Sequence, residues 1–241
     1  MPAYKNVVFD VVGTLVSYDR IYNAIDTRLG PKLREHNVQP SFLGYTWVEV
    51  AEREYTYLSV SGAYTPYATI FEKIFHRMLY QAGIADPATV GTDEDLAYIM
   101  QEYANLDLRP GAMECVQKLR EAGFTVWALT AGDLNRVGAY LRNAGVEISS
   151  ENLLSCDTAG VGKPDPGAYR PLFEKLETEG GEKPWFAAAH MWDVSAARRT
   201  GFRGAYCTVY EKQALPELFG EMEVTADSLP EMAAGIVASE G

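Results

Sequence analysis

The stretch that most constrains this chain lies close to its start, where a short apolar run leads into a carboxylate. Residues 7–9 are β-branched or aromatic, which is typical of a strand buried on both faces of a parallel sheet. An unpaired carboxylate inside such a strand costs roughly several kcal/mol, so Asp10 is predicted at the strand's carboxyl end, where open parallel sheets bind ligands. Gly13 allows a sharp turn there and Thr14 adds a hydroxyl, although an ordinary strand ending in an Asp-Gly turn explains the stretch equally well.

The composition limits the class of protein and its partners. With 241 residues, 47% of them hydrophobic and 22% charged, the chain suits a soluble globular protein of one large domain or of a core and a smaller domain. A net charge of -12 argues against nucleic acids and anionic membranes as partners. The cysteines Cys115, Cys156 and Cys207 are far apart, so neither a disulfide framework nor a zinc site is predicted. Without a signal peptide pattern or a membrane-length apolar stretch, a cytoplasmic location is predicted.

Residues 18–103 show helical apolar periodicity and no convincing strand. Helices are predicted at residues 22–34, 47–58, 67–82 and 93–103, with breaks at 30–31, 40–41, 61–62 and near 86–87. This block therefore predicts an all-helical domain inserted directly after the first strand.

After residue 104, strands alternate with helices. Strands are predicted at 124–129, 153–156, 185–193 with its tip, and 201–207, and helices at 112–122, 134–143 and 194–200. A final strand–helix pair is predicted within 215–238, with an edge strand or turn at 224–229. The alternation predicts an α/β fold with a doubly wound parallel sheet and right-handed crossovers, built from residues 1–17 and 104–241.

Two later segments carry groups suited to a site at the same sheet edge. The strand at 124–129 ends in Thr130, and Asp133 is suited to cap the next helix. Lys163 stands in a Lys-Pro-Asp-Pro segment before a helix, where the two prolines stiffen the backbone that presents the ammonium. An ammonium near Asp10 would lower the pKa of that carboxyl group and bind an anionic substrate, although most lysines are simply solvated.

Four features of the sequence resemble, in order, the four motifs of the haloacid dehalogenase superfamily. They are Asp10-x-x-Gly13-Thr14, the strand ending in Thr130, the Lys163-Pro164 segment and Asp193. The resemblance covers nearly the whole chain. It implies a Rossmann-like core with the helical insertion as a cap domain over the active site. It also implies Asp10 as the nucleophile, with Thr130 and nearby N–H groups holding the group under attack.

Two departures from the phosphatases of that superfamily bear on the chemistry. Val12 stands where those enzymes carry a second aspartate that protonates the leaving alkoxide, and valine cannot act as a general acid. Ala189 replaces a metal-binding aspartate, and Mg²⁺ needs several oxygen ligands. No metal and no cofactor are therefore expected, which suits a halide leaving group because halide departs without protonation.

The Trp192-Asp193 pair resembles the L-2-haloacid dehalogenase branch, which also lacks the second aspartate. The resemblance implies that Asp10 attacks the carbon bearing halogen and that water hydrolyses the resulting ester. Asp193, held by Lys163, is the candidate to orient or deprotonate that water. Thr14 and Thr130 would hold Asp10 or the substrate carboxylate, and the predicted pocket residues are Val12, Ala131, Tyr169 and Trp192.

Most residues that bind the halide and the substrate carboxylate in that branch are different in this sequence. Its Ser-Asn pair in the second motif is Thr130-Ala131 here, and its Ser and Asn in the fourth are Ala188 and His190. Its cap arginine is matched by Val48 or Glu49, with Arg53 about one helical turn away. His190 is the obvious new group and could donate to a leaving group, activate water or simply pack against Trp192.

Three functions remain open from the sequence. The first is a 2-haloacid dehalogenase with an altered pocket, acting on a small anionic substrate. The second is a phosphatase or another hydrolase of the superfamily acting on a specialised metabolite, and the third is a weakly catalytic binding protein. The resemblance also implies a homodimer.

Overall fold

The computed structural model describes residues 5–178 and 183–240. Within these residues, all strands are parallel and form one sheet in the order β3-β2-β1-β4-β5-β6. The strands are β1 (Lys5–Phe9), β2 (Phe124–Thr130), β3 (Leu153–Ser155), β4 (Trp185–Ala188), β5 (Arg203–Cys207) and β6 (Val224–Ala226). The predicted α/β fold with a doubly wound parallel sheet is confirmed, and the segment at 224–229 does begin with an edge strand.

The chain divides into two compact units, one of residues Met1–Ser17 and Leu108–Gly241 and one of residues Tyr18–Asp107. The second unit contains the helices α1 (Asp19–Glu35), α2 (Pro40–Val60), α3 (Tyr67–Lys73), α4 (Phe75–Gln81), α5 (Pro87–Val90) and α6 (Asp93–Tyr103). The first contains α7 (Ala112–Glu121), α8 (Leu134–Asn143), α9 (Cys156–Ala159), α10 (Pro166–Thr178), α11 (Met191–Thr200), α12 (Pro216–Phe219) and α13 (Leu229–Ala238). The assignment of the helical unit as a cap domain at 18–103 stays a prediction.

Helices cover both faces of the sheet because the chain winds outward from β1 in two directions. Right-handed crossovers from β1 to β2 and from β4 to β5 must place their helices on opposite faces. Accordingly α7 packs with α13, whereas α10 packs with α11. The central strands are buried on both sides, as Val8 and Phe186 illustrate with no exposed surface. The apolar run after Lys5 therefore forms the middle of the core.

The helical unit has its own core, organised by Trp47. Its ring stacks on Phe71 at 4.3 Å and on Phe75 at 5.1 Å, and its indole N–H donates to the Phe71 carbonyl at 2.8 Å. At the start of α6, Thr92 and Asp95 form a reciprocal capping box. No helix in either described range is long and apolar enough to cross a membrane.

Three predicted helix boundaries in this unit were wrong. Helix α1 runs through the predicted break because Pro31 removes only one backbone donor while the buried face continues at Leu33. Helix α2 begins at Pro40, since proline suits the first turn, where its missing N–H has no partner to lose. The single helix predicted at 67–82 is interrupted at Ile74, whose ψ of 0° departs from helical geometry.

Candidate active site

The strand order places Asp10 where ligands bind in open parallel sheets. The chain winds to one side of β1 through β2 and β3 and to the other side through β4, β5 and β6, so the direction reverses between β1 and β4. Asp10 follows β1 directly, and its N–H donates to the Ala187 carbonyl of β4 at 3.1 Å. The prediction that Asp10 lies at the carboxyl end of the strand is thus confirmed.

The turn after Asp10 carries Thr14 back to the carboxylate. Gly13 adopts φ of 93°, which favours glycine, and the N–H of Val16 donates to the Val11 carbonyl at 2.9 Å. The Thr14 hydroxyl donates to Asp10 Oδ2 at 2.7 Å and accepts from the Ala189 N–H at 2.9 Å. One hydroxyl therefore joins the nucleophile candidate to the end of β4.

Lys163 links two buried carboxylates. Its Nζ lies 3.0 Å from Asp10 Oδ1 and 2.8 Å from Asp193 Oδ2. The Tyr169 hydroxyl donates to the other oxygen of Asp193, Oδ1, at 2.5 Å. These residues come from three separate segments, and the structure brings them into one hydrogen-bonded chain: Asp10, Lys163, Asp193 and Tyr169.

The first turn of α11 explains why Asp193 reaches this chain. The sequence predicted a helix from residue 194, but α11 begins at Met191, which corrects the boundary. Trp192 and Asp193 therefore point in different directions from one helical turn. Trp192 is half-buried, whereas Asp193 has no exposed surface.

Electrostatics keep Asp10 and Lys163 charged. Burial alone would raise the pKa of Asp10, but the Lys163 ammonium, the His190 ring and the Thr14 hydroxyl together hold it well below its usual range. Burial alone would lower the pKa of Lys163, but Asp10 and Asp193 outweigh it and raise the pKa. Burial, together with the nearby charge of Asp10, raises the pKa of Asp193. Asp10 is thus an ionised carboxylate in a nearly dry site.

His190 lies at the tip of β4 beside this chain. Its Nδ1 is 3.8 Å from Asp10 Oδ2, and its ring is 5.5 Å from the Trp192 ring and 4.8 Å from the Tyr210 ring. The sequence offered a reactive and a packing interpretation for this histidine. The structure places the ring beside Asp10 and against two aromatic rings, and the role of His190 toward substrate or water stays a prediction.

The second motif is held by hydrogen bonds within its own turn. The Thr130 hydroxyl accepts from the Gly132 N–H at 3.0 Å, and the Gly132 carbonyl accepts from the Ser155 hydroxyl at 2.7 Å. Among the described contacts, none joins Thr130 to Asp10. Val12 and Ala131 are half-buried, and their side chains offer no hydrogen-bonding groups. Thr130 therefore shapes its own turn, and its role toward substrate stays a prediction.

Three residues that hold the site in place were missed by sequence reasoning. Arg109 donates to the carbonyls of Gly13 at 2.8 Å and Thr14 at 3.2 Å. Tyr210 packs on His190, and Glu211 accepts from the Met191 N–H at 2.9 Å. Arg109 directly precedes a Pro-Gly turn signal that could have drawn attention to it, but no local pattern distinguishes the other two.

A metal-binding cluster is not found in the part of the chain that the structure describes. Within residues 5–178 and 183–240, no three His, Cys, Asp or Glu side chains are grouped so that they could hold an ion. In the fourth motif, Ala189 contributes only its backbone N–H, to Thr14.

Comparison with known proteins identifies the family. The sequence model of the haloacid dehalogenase-like hydrolases matches residues 4–201, most of the chain. This chain belongs to the haloacid dehalogenase-like hydrolases.

Two relatives and one solved structure illustrate its similarity to known proteins. The chain is 27% identical to (S)-2-haloacid dehalogenase 2 of Pseudomonas sp. strain CBS-3 over 225 residues, 92% of this chain and 90% of that protein. It is 24% identical to haloacetate dehalogenase H-2 of Moraxella sp. strain B over 213 residues, 87% and 88% of the two chains. The structure of L-2-haloacid dehalogenase from Xanthobacter autotrophicus superposes with a TM-score of 0.74 at 20% identity, covering 97% of this chain and 98% of that one, which establishes the common fold.

Proposed function

We propose that this protein is a 2-haloacid dehalogenase, which displaces halide with the Asp10 carboxylate and then hydrolyses the ester that forms. The observation that carries the proposal is the buried chain of Asp10, Lys163 and Asp193, in which one ammonium contacts both carboxylates at 3.0 and 2.8 Å. This arrangement keeps the nucleophile ionised at the edge where the sheet binds ligands. The names of the two relatives, a haloacid and a haloacetate dehalogenase, agree with this chemistry.

In the first half-reaction, a carboxylate oxygen of Asp10 attacks the carbon that bears the halogen. The new C–O bond forms as the C–X bond breaks, and halide leaves with the bonding electron pair. Lys163 and Thr14 bind the carboxylate from two sides at 3.0 and 2.7 Å and so fix its orientation. Displacement from the rear inverts the configuration of the substrate carbon.

In the second half-reaction, water attacks the carbonyl carbon of the Asp10 ester. The 2-hydroxy acid departs, and the Asp10 carboxylate is regenerated. Because the substrate carbon is untouched in this step, the inversion of the first step is retained in the product.

A halide leaving group suits this site better than a phosphate ester. A phosphate monoester leaves as an alkoxide and needs a proton donor, whereas Val12 has no proton to give. Ala189 likewise lacks a carboxylate for a metal ion. The alternative phosphatase activity therefore lacks two of the groups it would use.

Metal-independent halide release tests the proposal. We expect chloride from (S)-2-chloropropionate or chloroacetate at a rate unchanged by EDTA, with (R)-lactate as the product of the former because of the single inversion. Ion chromatography and chiral analysis measure both. Absence of chloride together with magnesium-dependent hydrolysis of a phosphate ester would contradict the proposal and favour the phosphatase.

The pH dependence of the first half-reaction follows from the two charged groups. The lowered pKa of Asp10 and the raised pKa of Lys163 keep the ion pair charged across the working range. The burst of chloride in rapid-quench experiments should therefore keep a constant rate between about pH 5 and 9. A burst rate that declines toward pH 5, as for a carboxyl group of raised pKa, would show that Asp10 is not held ionised.

The site residues, the homodimer and the cytoplasmic location predicted from the sequence belong to this proposal. A small anionic substrate follows from the haloacid chemistry. Trp192, a predicted pocket residue, is half-buried beside His190.

A further inference from the structure

We infer that His190, positioned by Tyr210 and Glu211, is the base that activates water for hydrolysis of the Asp10 ester. The inference rests on the proposed function and assigns a group to its second half-reaction. It differs from the assignment that the sequence suggested, in which Asp193 acts on the water.

Asp193 is poorly disposed to reach a water molecule. It has no exposed surface, and both of its carboxylate oxygens already accept short hydrogen bonds, one from Lys163 at 2.8 Å and one from Tyr169 at 2.5 Å. A base must lie within hydrogen-bond reach of the proton that it removes. With no exposed surface, Asp193 offers no open approach to a water molecule, and its contacts suit a role in holding Lys163.

His190 lies where the water must approach. Its Nδ1 is 3.8 Å from Asp10 Oδ2, so a water molecule beside the Asp10 carbonyl carbon is within reach of the imidazole. The residue follows β4, whose Ala187 accepts the backbone bond of Asp10, so the two backbones are fixed relative to each other. Imidazole is the side chain most often used as a base near neutral pH.

The segment after β5 fixes this ring from the other side. Tyr210 packs against the His190 ring at 4.8 Å with an interplanar angle of 57°. Glu211 accepts from the Met191 N–H at 2.9 Å and so caps the start of α11 immediately after His190. The Tyr206 hydroxyl donates to the Gln213 carbonyl at 3.2 Å, and the turn within the segment is closed by the bond from Lys212 N–H to the Thr208 carbonyl at 2.7 Å. Tyr210 and Glu211 are thus positioning residues for His190.

The proposed step balances without any further reactant. The water oxygen bonds to the carbonyl carbon of the Asp10 ester while a ring nitrogen of His190 takes the water proton. The tetrahedral intermediate collapses and expels the oxygen of the 2-hydroxy acid, which receives that proton back from the ring. The second proton of the water remains on the new Asp10 carboxyl group and passes to solvent, because the Lys163 ammonium at 3.0 Å favours the ionised carboxylate, and His190 ends as the neutral imidazole that began the step.

His190→Asn separates the two half-reactions, because asparagine can form hydrogen bonds but cannot accept the proton. With (S)-2-chloropropionate we expect the chloride burst to remain within about threefold of wild type, while steady-state turnover falls by about 10²-fold or more. Intact-mass and peptide mass spectrometry should then detect a propionate ester accumulated on Asp10. His36→Asn, at an exposed position, is the matched control and should change neither rate.

The same experiment separates failure of the inference from failure of the proposed function. A wild-type protein that releases no chloride from (S)-2-chloropropionate would overturn both. A normal wild-type burst with no ester in His190→Asn would overturn the inference alone, as would a variant whose burst and turnover fall together. Accumulation of the ester in Asp193→Asn but not in His190→Asn would assign the water to Asp193.

The positioning role is tested through its dependence on His190. Tyr210→Leu and Glu211→Ala should each lower turnover on the order of tenfold and spare the burst, because a displaced base is a less effective one. Tyr210→Phe and Glu211→Gln, which keep the ring or the acceptor, should recover most of the loss. In the His190→Asn background, Tyr210→Leu and Glu211→Ala should not lower turnover any further. An equal loss of turnover in both backgrounds would overturn the positioning role. Tyr80→Leu serves as the control at an exposed tyrosine.

Discussion

Replacing Asp10 by asparagine should reduce chloride release by on the order of 10⁴-fold or more, because the neutral amide is a far weaker nucleophile than the carboxylate. The fold should survive for two reasons. The asparagine amide oxygen can still accept from the Thr14 hydroxyl, which lies 2.7 Å from Asp10 in the wild type, and Lys163 keeps its contact with Asp193 at 2.8 Å. Chloride release under substrate saturation, together with urea unfolding of the variant, measures both expectations.

Asp86→Asn is the charge-matched control for this change, because Asp86 is exposed in the helical unit. A single turnover in ¹⁸O-labelled water adds a direct readout of the nucleophile. If Asp10 forms the ester, the label enters the Asp10 carboxylate first and not the product. Label found in the 2-hydroxy acid after one turnover, or an Asp10→Asn variant within tenfold of wild type, would mean that water attacks the substrate directly.

Replacing Lys163 by methionine should lower the free energy of unfolding by about 3–5 kcal/mol at pH 7, the usual consequence of removing one partner from a buried ion pair. Lys163 is only 3% exposed and is held by both carboxylates. Without it, Asp10 and Asp193 face each other without a cation in a dry site. The chloride burst should also be lost, since Asp10 would then favour its protonated form.

The pH dependence of stability should reverse in this variant. In the wild type, the lowered pKa of Asp10 contributes stability above pH 3.8 that is lost only in strong acid, and the raised pKa of Lys163 contributes stability below pH 10.5 that is lost in strong base. In Lys163→Met, protonation of a carboxyl group relieves the repulsion, so stability should increase as the pH falls from about 8 to 5.

Urea unfolding of Lys73→Met provides the comparison for an exposed pair. Its ammonium lies 3.3 Å from Glu72 and its side chain is 72% exposed, so a change within about 1 kcal/mol is expected. A loss in Lys163→Met no larger than in Lys73→Met would show that the buried ammonium contributes little. An unchanged pH profile would contradict the proposed repulsion between the two carboxylates.

The sequence by itself determined the fold class and the position of Asp10, the candidate nucleophile. The apolar run before Asp10 could only be a buried strand, and a carboxylate after it had to lie at the strand end, because burying it unpaired is too costly. The alternation of strands and helices then predicts a parallel, doubly wound sheet with right-handed crossovers. Local sequence also predicted the capped start of α8 at Asp133 and the whole of α6. These features depend on interactions between neighbours in the chain.

Only the tertiary structure decided which polar groups share the site. Lys163 is 153 residues from Asp10 in sequence, and its contact with Asp193 depends on where α10 and α11 cross the sheet. No periodicity or spacing in the sequence indicates that both Asp193 oxygens accept hydrogen bonds. None indicates the contacts of Tyr210 and Glu211 around His190 either. The physical reason is that hydrogen bonds between side chains from different strand ends are set by the packing of whole elements. A one-dimensional pattern records which groups are available but not the partners that they find.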